Sequence, residues 1–306
     1  MSKSPALPSV PPWLEVLRPG QWTKNLTVGA GFFFALADRN QVFSRVEAFW
    51  RSVAAALLFC VVSGVVYVFN DLHDAENDRR HPVKRSRPIA SGRLSPRSAV
   101  CECVCLGAAA LCASTALGSG FAAVLASYLA LQFFYTFAMK RVPYLDTSCI
   151  ALGFVLRVCG GVSAAHVSLS PGIVFCSFFA ALCIALGKRS GELAESGGSR
   201  EAAAVHRPVL LRYSPSHLRV AFLLSAGAAF VGYAVWSVLP STAAKFGTRG
   251  MAATVPFVAF GLCRYVFLVV RRGCGSRPER LFFADATLAA ALVLWLLSCA
   301  AIWMTV

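Results

Sequence analysis

The segment Asn70-Asp71-Leu72-His73-Asp74-Ala75-Glu76-Asn77-Asp78 repeats aspartate at positions i, i+3 and i+7. At about 100° per helical residue those three side chains fall within roughly 60° of one another, with Asn70 alongside. Three carboxylates on one face repel each other and demand a counter-charge. An all-oxygen donor set suits Mg2+, which often binds through one or two carboxylates together with substrate phosphates. Asn70, Asp71, Asp74 and Asp78 are therefore the candidate metal ligands, and the three aspartates the candidate catalytic groups. An acidic helix end is often only a solvated face. Here the acids keep helical spacing at the point where a long apolar stretch ends, which favours a site.

A basic run follows directly: His81-Pro82-Val83-Lys84-Arg85-Ser86-Arg87. Metal-bound carboxylates beside Lys and Arg are what a diphosphate ester requires, because the metal bridges phosphate oxygens and the cations neutralise the remainder. Arg157 lies inside an apolar stretch. A charge there costs a few kcal/mol, so it is expected to face a polar cavity and a substrate phosphate. In Lys188-Arg189-x-x-Glu192-x-x-Glu195, Lys188 and Glu192 form either a plain i,i+4 pair or, with Arg189, a phosphate grip that Glu192 orients. Asp146 is expected to cap a helix or to join the site. Lys24, Asn70, Lys84, Arg87, Lys140, Arg157, Lys188 and Arg189 make up the candidate phosphate-binding set, with Arg264 a weaker member. His73 and His81 read as hydrogen-bonding neighbours.

What must position these groups is an apolar framework. Of 306 residues, 57% are hydrophobic and only 14% charged, against about 25% charged in soluble domains. Mean hydropathy is +0.64. This excludes an ordinary soluble enzyme, yet the net charge of +15 is of the kind that attracts nucleic acid, anionic lipid or phosphate. The two facts agree if apolar residues sit in a bilayer and basic ones in loops. Stretches of the length a membrane helix needs, about 17–25 residues, are expected near 53–70, 99–117, 121–138, 145–165, 171–187, 218–239, 251–270 and 284–304, with a shorter one at 25–37. The expectation is an all-α, polytopic protein of nine membrane helices.

Residues 1–22 read as an N-terminal tail and interfacial segment, disordered over 1–12, with Trp13 and Trp22 at the membrane interface. They lack the apolar core of a signal peptide. Residues 23–306 form a single membrane domain with active-site loops near 70–98 and 188–217. With nine spans, one side collects 22 of the 29 basic residues and the other five, Arg39, Arg45, Arg51, Lys245 and Arg249. The positive-inside rule puts the N-terminus and the acidic motif in the cytoplasm and the C-terminus across the membrane. The 12 cysteines lack zinc-site spacing and read as packing residues.

The pattern Asn70-Asp71-x-x-Asp74-x-x-x-Asp78 followed by Arg87-Pro88-Ile89-Ala90-Ser91-Gly92 resembles the first aspartate-rich motif of the UbiA superfamily of intramembrane prenyltransferases. The resemblance implies a nine-helix bundle with a lipid-open cavity and cytoplasmic catalytic loops. Several further motifs are similar to the decaprenyl-phosphate phosphoribosyltransferase branch of that superfamily. They are Leu17-Arg18-Pro19-x-Gln21-Trp22-x-Lys24-Asn25, Lys140-Arg141-x-x-x-x-Asp146, Gly153-Phe154-x-Leu156-Arg157-x-x-x-Gly161, Leu186-Gly187-Lys188-Arg189-x-x-Glu192-Leu193 and Pro256-Phe257…Arg264-Tyr265. This narrower likeness implies Mg2+ as cofactor, phosphoribosyl diphosphate as donor and polyprenyl phosphate as acceptor, in an inner-membrane enzyme of cell-envelope precursor synthesis. Membrane lipids are partners and nucleic acid is not; a homo-oligomer is compatible with it. The wider superfamily implies an alternative, transfer of a polyprenyl group from its diphosphate to an aromatic or other small acceptor. The chain departs from the superfamily at the second acidic motif, where 188–195 holds bases and glutamates but no aspartate. More base and less acid suits a substrate with an additional phosphate.

Overall fold

The computed structural model of the chain describes residues 10–305; the first nine residues of the expected tail lie outside the described residues. The architecture is helical throughout. Eight helices among the described residues are long and apolar enough to cross a membrane: α1 (Arg45–His73), α2 (Pro96–Ser114), α3 (Ser119–Phe137), α4 (Leu145–Ala164), α5 (Pro171–Glu195), α6 (Pro215–Val238), α7 (Val255–Arg272) and α8 (Ala286–Met304). Their ends follow local chemistry. Ser44 caps α1 by accepting from the Glu47 amide at 3.2 Å, and Ser95 caps α2 by accepting from the Ser98 amide at 3.1 Å. Proline, which gives up an amide that has no helical partner anyway, opens α2, α5 and α6.

The expected ninth span, 25–37, takes another form. It is a 3₁₀ helix over Pro19–Gly29 continued by one and a half α-turns over Ala30–Ala35. At about 2.0 Å rise per 3₁₀ residue and 1.5 Å per α residue the two pieces reach roughly 31 Å. They run the length of the bundle: Arg18 before them pairs with Asp71 at the end of α1, and Asp38 after them pairs with Lys245 at the opposite end. The physical reason for the thinner coil is backbone proximity. A Cβ on Gly31 would lie 2.1 Å from the Gly161 carbonyl carbon, and one on Gly161 would lie 1.9 Å from the Val28 oxygen.

α4 is the most buried of the eight. It packs on α3, α5 and the N-terminal segment, and its small residues Gly153, Gly160, Gly161 and Ala164 allow the close approach that membrane helices need. Large apolar side chains such as Val104, Phe134, Leu224 and Leu297 remain exposed on the rim, where a bilayer would cover them. The end of the bundle away from the acidic motif is closed by internal pairing. Arg51 donates at 2.7 Å to the carbonyls of Ala164 and Leu117, and Lys245 lies 3.5 Å from Asp38.

Candidate active site

α1 delivers Asn70 and Asp71 on its last turn and stops at His73. Asp74 caps it with a non-helical ψ of 4° and a short helix, Ala75–Arg80, carries Asp78. The expected single acidic face is therefore broken at Asp74. Asp71 and Asp78, each 3% exposed, turn inward to the same partner. Asp74 turns to Lys140, whose ammonium lies 2.9 Å from both of its oxygens. Asn70 Oδ1 accepts from the Thr136 hydroxyl.

The partner shared by Asp71 and Asp78 is Arg87. Its Nη1 donates to Asp71 Oδ1 at 3.0 Å and to Asp78 Oδ2 at 2.6 Å. Arg87 is held by a tight turn: the Ser91 amide donates to the Arg87 carbonyl, and the Leu94 amide to Pro88. Ile89, 1% exposed, anchors that turn among Val16, Leu17, Val68 and Ala99. Lys84 adds a second charge 4.0 Å from Asp78. Arg93 locks the same loop to the N-terminal segment, with both Glu15 carboxylate oxygens accepting at 2.7 and 2.9 Å and the Ser86 carbonyl at 2.6 Å.

Arg18, which is not among the candidate site residues of the sequence, also belongs to the site. It has a left-handed backbone (φ 52°), stacks its guanidinium 4.9 Å from the Tyr67 ring centre and donates to Asp71 Oδ1. Its place in the Leu17-Arg18-Pro19 motif was the available signal. Asn25, in the same motif and likewise not among the candidates, lies beside the site. Its Oδ1 accepts from Arg157 Nε at 2.8 Å and from the Ser63 hydroxyl at 3.3 Å.

Arg157 lies deep beside this cluster. Nη1 donates to the Gly153 carbonyl at 3.1 Å and Nη2 to the Tyr128 hydroxyl at 2.7 Å, with the Tyr128 and Phe154 rings on its faces. Each of its nitrogens thus already has a protein acceptor, which is how its charge is tolerated inside the bundle.

Lys24 and Lys188 differ from every cation above: neither makes an ion pair or a side-chain hydrogen bond among the described residues. Lys188 acts on Lys24 with a like charge, Glu279 opposes it, and Arg157 and Arg18 add to the positive field there.

Arg189 points elsewhere. It is 1% exposed, with Nε on Asp146 at 2.9 Å and Nη1 on Glu192 at 3.0 Å. The Tyr213 hydroxyl donates to the other Asp146 oxygen at 2.5 Å. Asp146 makes no capping bond at the start of α4; it is the buried counter-ion that ties α4 to α5. Glu192 pairs with Arg189 and, at 3.6 Å, with Arg207, so the i,i+4 pair with Lys188 does not form. Glu195 accepts from the Ser276 hydroxyl. Arg264 pairs at 2.8 Å with Asp285, which also caps α8 through the Leu288 amide. Neither belongs to the cluster around Asp71.

Does this donor set fit Mg2+? Among the described residues no three acidic, histidine or cysteine side chains converge into a metal cage. Two buried carboxylate oxygens do converge on one cationic nitrogen, Arg87 Nη1. A cation already stands between oxygen donors of the right hardness, and a metal there would need phosphate or water oxygens to complete its shell. The donor set fits Mg2+ bound jointly with a phosphate.

The model of the UbiA prenyltransferase family matches residues 26–286. The chain is 33% identical over 285 residues to a decaprenyl-phosphate phosphoribosyltransferase of Corynebacterium glutamicum, covering 92% of this chain and 83% of that protein. To the protein of that name in Mycolicibacterium smegmatis it is 32% identical over 297 residues, covering 92% and 89%. Among solved structures, a UbiA homolog from Archaeoglobus fulgidus bound to GPP and Mg2+ superposes with a TM-score of 0.70 at 19% identity, covering 96% of this chain and 99% of that one.

Proposed function

Because the chain belongs to the UbiA prenyltransferase family, and within it to the decaprenyl-phosphate phosphoribosyltransferase branch, we propose that it transfers 5-phosphoribosyl from phosphoribosyl diphosphate to polyprenyl phosphate. One observation carries the reading. Arg18, Lys84, Arg87 and Lys140 are each paired with a carboxylate of the acidic motif, whereas Lys24 and Lys188, whose charges act on one another, make no ion pair among the described residues. Two neighbouring ammonium groups outside any ion pair call for a polyanion. A donor with a phosphate beyond its diphosphate supplies one phosphate group for the acid-and-metal side and another for the lysine pair.

In this reading Asp71 and Asp78, with Asp74 and Asn70 adjoining, hold Mg2+, which neutralises diphosphate charge when bound. Arg18, Lys84, Arg87 and Lys140 stand around the diphosphate and take up the charge it gains as the bond to the anomeric carbon breaks. A lipid phosphate oxygen forms the new bond to that carbon. The acceptor is already ionised near neutral pH, so no side chain has to remove a proton, and catalysis is positioning and electrostatics. A groove of about 420 Å³ between α4, α5 and α6, lined by Tyr144, Phe179, Leu182, Leu186 and Leu224, supports an apolar path for the lipid beside the Asp146 cluster. The site end carries the basic loops, which supports a cytoplasmic active site facing a water-soluble donor.

The test is label transfer. Membranes containing the protein, supplied with Mg2+, polyprenyl phosphate and radiolabelled phosphoribosyl diphosphate, are expected to yield a labelled lipid. Absence of labelled lipid, with transfer from a polyprenyl diphosphate to a small aromatic acceptor instead, would overturn the reading in favour of prenyl transfer.

A further inference from the structure

We propose that Arg87, backed by Arg18, is a placeholder for the divalent cation, so that the acidic half of the site excludes free metal and admits it only together with a diphosphate. The inference rests on the reading of this cluster as a diphosphate site and adds an order of events to it. Its basis is the position of Arg87 Nη1, 3.0 Å from Asp71 Oδ1 and 2.6 Å from Asp78 Oδ2, with Arg18 on the same Asp71 oxygen. Both carboxylates are buried, so water cannot easily replace these bonds.

A free Mg2+ entering here would have to shed water and expel one or both guanidiniums from their only carboxylates. The expelled groups would face Lys84 and each other without the carboxylates that had paired them. Removing one partner of a buried charge pair is costly because the other is left unmatched. A diphosphate changes the balance. Its oxygens accept from guanidinium in the bidentate geometry that arginine favours, so both arginines can pass from carboxylate to phosphate while the metal takes the vacated oxygens. Every charge is paired before and after the exchange. Metal and diphosphate therefore bind with positive coupling, and the coupling is reciprocal.

The arrangement also separates the two arginines from the other cations. Lys140 is matched to Asp74 alone and does not stand between two acids. Lys84 reaches Asp78 only at 4.0 Å. Arg87 alone among the described residues donates from one nitrogen to two of the candidate ligands.

The experiment is titration of purified protein in detergent with Mn2+, read by electron paramagnetic resonance of the free ion, with and without inorganic pyrophosphate. Wild type is expected to bind Mn2+ weakly alone, and at least about fivefold more tightly with pyrophosphate, within the usual range of coupling. Arg87→Gln is expected to bind Mn2+ alone more tightly than wild type and to lose most of the pyrophosphate effect. Arg87→Lys keeps the charge and one donor nitrogen but lacks the fork that passes bidentately to diphosphate, and should fall between the two. Asp71→Asn separates the possible failures. If Asp71→Asn leaves Mn2+ binding intact, the metal assignment itself is overturned. If Asp71→Asn abolishes binding while Arg87→Gln binds free Mn2+ no better than wild type, the placeholder alone is overturned.

Discussion

Lys24 and Asp146 show how differently single charges inside the bundle can be employed. Lys24 makes no ion pair among the described residues, and Lys188, Arg157 and Arg18 add to the positive field on it against Glu279. A charge-assisted bond to phosphate is worth about 1.5–3 kcal/mol. We expect Lys24→Met to raise the donor KM by about tenfold or more, and Lys24→Arg, which stays charged, to hold most of the affinity. Steady-state kinetics of the two variants checks it. Asp146 is the reverse case, fully buried and bonded to both Arg189 and Tyr213. Burial first, and then the bond to Asp146, hold the Tyr213 hydroxyl well above the usual phenol range. Asp146→Asn leaves the Arg189 charge to Glu192 alone, and since one-sided removal of a buried pair typically costs about 3–5 kcal/mol, the loss should approach the lower end of that range. A reduced midpoint in chemical denaturation should register the loss, whereas Glu195→Gln, on a solvent-exposed partner, should barely move it.

Among the elements, the decisive contact is that of the N-terminal segment with α4. The 3₁₀ stretch carries Arg18, Lys24 and Asn25 to the site, and its register depends on Gly31 and Gly161 meeting backbone to backbone. Gly161→Ala would place a methyl 1.9 Å from the Val28 oxygen, which only a shift of the whole segment can relieve. We expect that variant to fold around its other helices yet lose label transfer, with Gly20→Ala, which meets nothing within 4 Å, as the active control. The break at Asp74 is the other element-level device. Had α1 run on as one helix, Asp71, Asp74 and Asp78 would share a face; the break sends Asp74 to Lys140 and leaves the other two to Arg87.

On the scale of the whole molecule, the two ends of the bundle differ in character. One end holds the acidic motif and its loops; the other is closed by Arg51 on helix-end carbonyls and by the Asp38–Lys245 pair. The basic residues crowd the first end, 22 of 29 by sequence position, and the positive-inside rule turns that asymmetry into an orientation. A phosphatase reporter inserted at the exposed turn Gly197-Gly198 should be inactive, as expected of a cytoplasmic loop. The same reporter at Gly247 should be active. The reverse pattern would put the site on the wrong side for a cytosolic donor.

Apolar run length, the charge asymmetry between loops and the Asn70–Asp78 spacing are properties of neighbouring residues, so the all-helical membrane class and the place of the acids were legible from the chain alone. The eight long helices overlie the apolar runs that predict them, although α1 begins eight residues before its run and α5 ends eight residues after its own. What tertiary structure decided is which charge answers which. Arg18 meets Asp71 across 53 residues, Lys140 meets Asp74 across 66, and Arg157 meets Asn25 across 132. Nothing local distinguishes those cations from Lys24 and Lys188, which make no ion pair or side-chain hydrogen bond among the described residues. Nor does local pattern tell that Arg189 is spent on a buried acid, or that the first span is a 3₁₀ coil pressed against Gly161. Such pairings depend on helix rotation and on how closely backbones approach, and those are settled only when the helices pack together.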